Sequence, residues 1–185
     1  NDPMIAQQLS RLFIHCKNWE EAKKYAEVAT VQRPQNSFLW DTFGQVYKSQ
    51  VLDCIDHCMK TGEKLGPQDA ISMVKIALEA IDKFKEEQRI SEQEKITPQN
   101  NSGFIAELRV TNMLLDLFMQ FSFYPGETEF HKFLTDRKYV PPEFKHFEDE
   151  ILARLKSLQI AVDDTLRNLE EKQNHIKNET VNVYK

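Results

Sequence analysis

The segment NSFLWDTFGQVYKS, residues 36–49, carries a glycine in the middle of a helical pattern. Large apolar side chains recur at Trp40, Phe43 and Tyr47, which is the spacing of one helix face, and Gly44 lies among them. Glycine inside a helix costs about 1 kcal/mol relative to alanine. A helix that keeps a glycine there is expected to lie very close to another helix at that point.

The same segment belongs to an internal repeat, whose period is the offset from Ser10 to Gly44. The second half of the repeat unit is a helical pattern with Ala22, Ala26 and Ala29 on one face, and Pro34 closes the unit. Small residues align with small ones, and large apolar positions recur. The aligned pairs are Ala6 with Trp40, Leu9 with Phe43, Ser10 with Gly44, and Phe13 with Tyr47.

This arrangement resembles the tetratricopeptide repeat, a pair of helices marked by a large residue, Leu-Gly, an aromatic residue, later alanines and a terminal proline. The resemblance implies that Ser10 and Gly44 lie where the second helix of a pair crosses the first, with Ala22 facing them. The residues predicted to hold the repeats together are Leu9, Ser10, Phe13, Ala22, Trp40, Phe43, Gly44 and Tyr47.

Helical periodicity dominates the whole chain and predicts an all-α fold, a superhelix of tetratricopeptide-like repeats with additional capping helices. Ser37 is predicted as the N-cap of the third helix. The apolar face predicted for the first helix contains Ile5, Leu9, Leu12 and Phe13. Helices are predicted over 3–16, 19–32, 37–59, 68–89, 104–121, 127–137 and 143–177.

These helices predict one compact domain in three segments. Residues 1–89 hold two repeats, the second lengthened by an insertion through VLDCIDHCMK (51–60). Residues 90–103 are polar and interrupted by proline, which predicts a loop. Residues 104–185 form a helical extension that packs on the repeats and caps the stack.

Composition limits the function. The 185 residues carry a net charge of −5, whereas a domain that binds nucleic acid over a whole face is expected to be basic. Three cysteines, Cys16, Cys54 and Cys58, suit a reducing compartment, so a cytoplasmic location is expected. No apolar run approaches the length of a membrane span. The chain does not begin with Met, and an internal piece of a longer protein is expected.

Two groups of residues are candidates for chemistry. Cys54, His57 and Cys58 lie on one helical surface and have side chains that zinc accepts, but the paired spacing of structural zinc sites is absent. Ordinary buried cysteines are the favoured interpretation. His131 and His146 have carboxylates nearby and are interpreted as solvated surface. With no phosphate loop or nucleophile motif, we expect no catalytic residue, no metal, no cofactor and no enzyme activity.

The concave face of such a stack comes from the first helix of each repeat. The chaperone-binding members of the superfamily hold a carboxylate there with lysine and asparagine, and the matching Gln7, Arg11 and Thr42 lack that clamp. The expected partner is a different protein, either a separate chain or another domain of the same chain. The predicted partner-binding face consists of Gln7, Arg11, His15, Phe38, Asp41, Gln45 and Lys48.

Several segments also resemble the sterile alpha motif domain-containing protein 9 family, which includes a 9-like paralogue. The resemblance is most specific over 5–49, where IAQQLSRLF and NWEEAKKYAEVA precede the opening segment. LEAIDKFKEEQR (78–89) and VPPEF (140–144) match more loosely. Phe43 stands where the family has leucine, which indicates a divergent member. The matching residues are Pro34, Asn36, Ser37, Asp41, Thr42, Gly44, Gln45, Val46, Tyr47 and Lys48.

This resemblance implies a setting and not a chemistry. Members of that family are large, interferon-responsive cytosolic proteins that restrict viruses and repress translation and growth. They join nuclease-like and NTPase regions to helical repeats and an OB-like module, and no motif of the first two lies in this chain. The resemblance therefore implies a regulatory or interaction module. Two alternatives stay open: a nucleic-acid-sensing helper beside the OB-like domain, and a purely structural spacer.

Overall fold

The computed structural model describes residues 2–94 and 102–122, together with Arg167. Within these residues the regular structure is helical, apart from an isolated bridge between Leu65 and Phe121, so the predicted all-α class is confirmed. The helices are α1 (Pro3–His15), α2 (Trp19–Gln32), α3 (Ser37–Thr61), α4 (Pro67–Gln93) and α5 (Ser102–Phe118).

Side-chain caps set the starts of the first three helices. Asn36 accepts a hydrogen bond from the N–H of Phe38 at 3.1 Å, so Asn36 is the N-cap of α3 and the predicted cap, Ser37, is already its first helical residue. The other two caps have the same chemistry, since a short polar side chain satisfies an N–H that the helix leaves unpaired. They are Asp2 on Met4, at 2.8 Å, and Asn18 on Glu21, at 3.3 Å.

The predicted loop at 90–103 was placed too early. The fourth helix continues through Gln93, and Ile90 is buried within it. Glu94 then accepts hydrogen bonds from both the N–H and the hydroxyl of Ser37, at 3.0 and 2.6 Å. This contact holds the end of α4 against the start of α3. The polar residues at the end of α4 therefore form helix, although their composition predicts a loop. The rest of the predicted loop before Ser102 lies outside the described residues.

The apolar face predicted for α1 is also wrong in part. Ile5 and Leu12 are exposed, whereas Ala6, Gln7 and Ser10 are buried. The small side chains face the core because α1 lies close against α2 and α3, where larger side chains would hold the helices apart.

The two long helices, α3 and α4, form the largest helix pair. They have 25 and 27 residues, and Gly62 ends α3 in the left-handed conformation, with φ at 73°. Val51 and Ile55 of α3 and Ala77 of α4 are buried. By contrast, α1 and α2 have only 13 and 14 residues, and the insertion in a second repeat stays a prediction.

The fifth helix packs on α4 and also contacts α3. After α5, the N–H of Leu65 donates to the carbonyl of Gln120 at 2.7 Å, and Ser122 donates back to Leu65 at 2.9 Å. Phe118 and Phe121 are buried with an edge-to-face ring contact, so they belong to the core. The chain after α5 is therefore tied to the connection between α3 and α4.

The chain divides into two compact units, Asn1–Lys145 and His146–Lys185, and the five described helices all lie in the first. The helices predicted at 127–137 and 143–177, and the residues His131 and His146, lie outside the described residues. Apart from 90–93, which belong to α4, and 102–103, which belong to α5, the predicted division into 1–89, 90–103 and 104–185 stays a prediction. No helix in the described part of the chain is long and apolar enough to cross a membrane.

Candidate functional site

The first three helices are held together by small side chains. The hydroxyl of Ser10 donates to the carbonyl of Ala22 at 2.8 Å, so α1 and α2 touch at the predicted crossing point. Two buried clusters then join this pair to α3. One contains Ala6, Ala29 and Leu39, and the other contains Ala22, Ala26, Phe43 and Val46.

Gly44 makes the second close contact, but not with Ala22. A Cβ atom at Gly44 would lie 2.5 Å from Cε1 of Phe84, a fully buried ring on α4. The prediction that another helix lies very close to Gly44 is thus confirmed. The neighbouring residue is Phe84 of α4 and not the expected Ala22. Because α3 and α4 are longer than α1 and α2, the position across from Gly44 lies further along α4 and holds a phenylalanine.

The aromatic residues of α3 form a stacked row along the helix. The ring centroids of Trp40 and Phe43 are 6.3 Å apart, and those of Phe43 and Tyr47 are 5.5 Å apart. The indole N–H of Trp40 donates to the carbonyl of Pro34 at 2.8 Å. Burial, with the carboxylate of Glu79 as a second cause, raises the pKa of Tyr47 to about 12. These side chains pack against one another in the structure. Phe13 stacks on Tyr25, and Leu9 is half-buried.

A groove runs between α1 and α3, and it gathers most of the predicted partner-binding face. Its volume is about 370 Å³. Five predicted residues line it although they come from two helices. The lining consists of Arg11, Ile14 and His15 from α1 and Phe38, Asp41, Thr42, Gln45 and Ser49 from α3.

Gln7 is not part of the accessible face. It is fully buried, and its amide Nε2 donates to the hydroxyl of Thr42 at 2.8 Å. Thr42 in turn donates to the carbonyl of Phe38 at 3.2 Å. The amide of Gln7 therefore joins α1 to α3 beneath the groove, because a buried amide needs a hydrogen-bond partner. Its prediction as a binding residue is wrong.

Polar side chains form a chain of hydrogen bonds along the α3 wall. The amide of Gln45 donates to Asp41 at 3.2 Å, and the Lys48 ammonium donates to Gln45 at 2.9 Å. Lys48 is half-buried beside the groove and does not line it. Burial lowers the pKa of Lys48, with the positive charge of Arg109 as the second cause, while Asp41 opposes both. Arg109 brings a cation of α5 to this end of the wall.

A second depression of about 270 Å³ continues the groove, sharing Ile14, His15 and Ser49 with it. Helical periodicity within α3 does not predict this part of the groove, because it does not relate the inserted residues of α3 to α1. The signal was present, since Asp53 follows Gln45 and Ser49 at helical spacing. Lys17, in the turn between α1 and α2, forms an ion pair with Asp53 of α3. The remaining lining is Trp19, Leu52 and Asp56.

The cysteines have different surroundings. Cys16 is exposed, and Cys58 is buried. Burial raises the pKa of the Cys54 thiol to about 11, with neighbouring Cys58 as the next cause, so the thiol of Cys54 is neutral at physiological pH. Within the described ranges, no three His, Cys, Asp or Glu side chains stand close enough together to hold a metal ion.

The geometry defines an all-helical protein with a polar groove between its first and third helices. Comparison with known proteins then gives its relatives. The chain is 30% identical to human sterile alpha motif domain-containing protein 9-like in an alignment of 159 residues that covers 75% of this chain and 10% of that protein. It is 29% identical to human sterile alpha motif domain-containing protein 9 in an alignment of 143 residues that covers 69% of this chain and 9% of that protein.

The resemblance predicted from the sequence is confirmed: this chain is a relative of the sterile alpha motif domain-containing protein 9 family. It spans about a tenth of the length of the two human proteins. No protein-family model matches the chain, and no solved structure matches it.

Proposed function

We propose that this chain is a non-catalytic protein-interaction module whose binding site is the groove between α1 and α3. The observation that carries the proposal is the meeting of Arg11, His15, Phe38, Asp41 and Gln45 in one groove. These side chains come from the two helices that the internal repeat relates to each other.

The repeat itself supports a tetratricopeptide-like arrangement for the first two helix pairs. The helices α1 and α3 begin at Pro3 and Ser37, and their caps are Asp2 and Asn36, so both features recur at the offset that relates Ser10 to Gly44. These two small residues also have similar roles. Each is the point where the first helix of a pair meets the second. In such an arrangement the first helices line a shared groove.

The groove suits a peptide segment with both apolar and polar side chains. Phe38 is 48% exposed and offers an apolar contact at one side. Arg11 supplies a cation on the α1 wall, and Asp41 with Gln45 supplies acceptors and a donor on the α3 wall. Burying the ring and pairing these groups with a peptide would give affinity and register together.

The family relationship supplies the setting of the proposal. We propose that the module regulates a large interferon-responsive, cytosolic effector that restricts viruses and represses translation and growth, by binding another protein or another domain of its own chain. The non-catalytic role has a physical basis as well. The large pKa shifts of Tyr47 and Cys54 both have burial as their first cause, and both keep the side chain neutral.

A capture experiment tests the groove. The baits are the native chain and the triple variant Arg11→Glu, Phe38→Ala and Gln45→Ala, with lysate from interferon-treated cells. The matched control alters three exposed residues elsewhere by the same chemistry: Lys60→Glu, Val31→Ala and Gln93→Ala. Circular dichroism checks that all three proteins have the same helix content. We expect the native chain and the control to retain the same proteins, and the groove variant to lose them. Nuclease treatment should not release these proteins from the native chain.

The other outcomes contradict the proposal. If all three baits retain the same proteins, the binding site lies outside the groove. If none of them retains any protein, the structural-spacer alternative is favoured. Loss of the retained proteins on nuclease treatment, with a steep decrease as salt rises, would favour the nucleic-acid alternative, because phosphate binding releases counterions. The net charge of −5 disfavours that alternative, because nucleic-acid phosphates are negatively charged as well.

A further inference from the structure

The first helix leaves an apolar face uncovered. Ile5 is 62% exposed and Leu12 is 54% exposed, and Leu9 between them is half-buried. We name these three side chains the α1 stripe. At about 100° per residue, the stripe lies on a different side of the helix from the buried Ser10 and from the groove residue Arg11.

The repeat shows which surface this stripe corresponds to. Under the shift that places Ser10 on Gly44, the three positions of the stripe hold Leu39, Phe43 and Val46 of α3, and all three are buried. An interface between helix pairs already exists at those positions, because their side chains pack on the face of the preceding α2. That face consists of alanines at four-then-three spacing, Ala22, Ala26 and Ala29.

We propose that the α1 stripe is a stacking surface for an α-helix that carries alanine-sized side chains at four-then-three spacing, as the second helix of another repeat pair does. Three large apolar side chains fit between small ones on a facing helix, and larger facing side chains would hold the two backbones apart. The inference rests on the repeat arrangement proposed above. It does not depend on what binds in the groove.

An extended chain tests this surface. A second copy of residues 1–34 is placed directly before residue 1, so the added α2 can lie on the original stripe in the same register as α2 on α3. Helices of 13 and 14 residues are marginal alone, so the added pair gains helix only if it stacks. We expect the helical signal to increase by the contribution of both added helices, and Tm to rise by about 5 °C or more.

Variants of the stripe give the decisive comparison. Ile5→Asp with Leu12→Asp in the original α1 should abolish both gains in the extended chain, yet change Tm of the unextended chain by less than about 2 °C, since both side chains are exposed. The control is Val31→Asp with Met59→Asp, at exposed apolar residues outside the stripe, which should keep the gains.

Three outcomes would overturn the inference. The first is an added pair that remains unfolded with no rise in Tm. The second is a gain that survives the stripe variant. The third is a dimer of the unextended chain that Ile5→Asp with Leu12→Asp dissociates, which would make a second copy the occupant. Because Arg11, Phe38 and Gln45 are intact in every variant, capture through the groove can be measured on the same proteins, and the two proposals fail separately.

Discussion

Gly44 has no room for a side chain, because Phe84 fills the space where a Cβ atom would stand. The nearest ring atom, Cε1, is 2.5 Å from that position, and the ring is fully buried. Gly44→Ala should therefore destabilise the protein by about 1–3 kcal/mol through overpacking, although alanine favours helix by about 1 kcal/mol. Gly44→Leu should cost more. Urea unfolding monitored by circular dichroism measures both changes.

A shortened ring supplies the control for this effect. Phe84→Leu removes Cε1 and Cζ, the two ring atoms nearest to the Cβ position, so the cost of Gly44→Ala should be smaller in the Phe84→Leu background than in the native one. The difference is the coupling energy of the two positions. An increase in stability on Gly44→Ala alone would mean that helix propensity decides at this position and that α3 and α4 do not approach so closely.

Cys54 should make the protein less stable at alkaline pH. Its thiol has a pKa of about 11 in the folded protein against an ordinary value of 9.0. The unfolded chain thus loses this proton first, so the stabilisation is complete below pH 9 and is lost as pH rises toward the folded value. Because Cys54 is only half-buried, we expect a loss of below about 1 kcal/mol between about pH 8 and about pH 10.

Substitution isolates the contribution of this thiol from other alkaline titrations. Cys54→Ala should reduce the pH-dependent loss of unfolding free energy, whatever its effect on stability at neutral pH. Cys16→Ala, at an exposed cysteine, should leave the loss unchanged. Equal pH profiles for the native protein and Cys54→Ala would show that the Cys54 thiol ionises alike in the folded and unfolded states.

The contact between Glu94 and Ser37 joins the end of one helix to the start of another. The carboxylate accepts hydrogen bonds from the backbone and the hydroxyl of Ser37, and it lies near the positive end of the α3 dipole. Glu94→Ala should cost about 1–2 kcal/mol and speed hydrogen exchange in the last turn of α4 and the first of α3. Gln93→Ala, an exposed neighbour, is the control. Unchanged exchange in both turns after Glu94→Ala would contradict this role.

The same contact shows what helical periodicity could and could not predict. Periodicity, with Pro34 as a stop signal, predicts that the first four helices exist and where α2 lies. It could not predict the end of α4, because a distant residue, Ser37, holds the polar turn there. Local sequence also favours Ser37 and Asn36 alike as a cap, and only the observed hydrogen bond distinguishes them.

The candidate site was predictable to the extent that it follows the repeat. The repeat relates α1 to α3 and so predicts that Arg11 and Gln45 share one face, and the groove contains both. Helical spacing also places Gln7 on the side of α1 that faces α3. Gln7 is nevertheless buried, because α1 and α3 approach closely there, and the spacing of residues gives no information about the distance between helices. The partner of Gly44 depends likewise on the lengths of α3 and α4. Distances between helices were the missing information in both cases.

Stability should be unevenly distributed across the five helices, with α1 at the low end. α1 has 13 residues, packs chiefly on α2 and buries mostly small side chains, whereas α3 and α4 bury large ones along a long interface. We expect backbone amides of α1 to exchange at least about 10-fold faster than those in the centres of α3 and α4. Hydrogen exchange read by mass spectrometry, with peptides covering 3–15 and 37–61, measures the difference.

This gradient matters for the groove because α1 forms one of its walls. A helix that opens often presents Arg11 and His15 in place for only part of the time, and the apparent affinity for a ligand decreases by that fraction. A helix stacked on the α1 stripe should slow exchange in α1 and strengthen binding in the groove, although the two surfaces share no residue. The extended chain should show both effects, and Ile5→Asp with Leu12→Asp should remove both. Exchange in α1 as slow as in α3 before any extension would mean that all five helices open as one unit, and the coupling between the surfaces would then be absent.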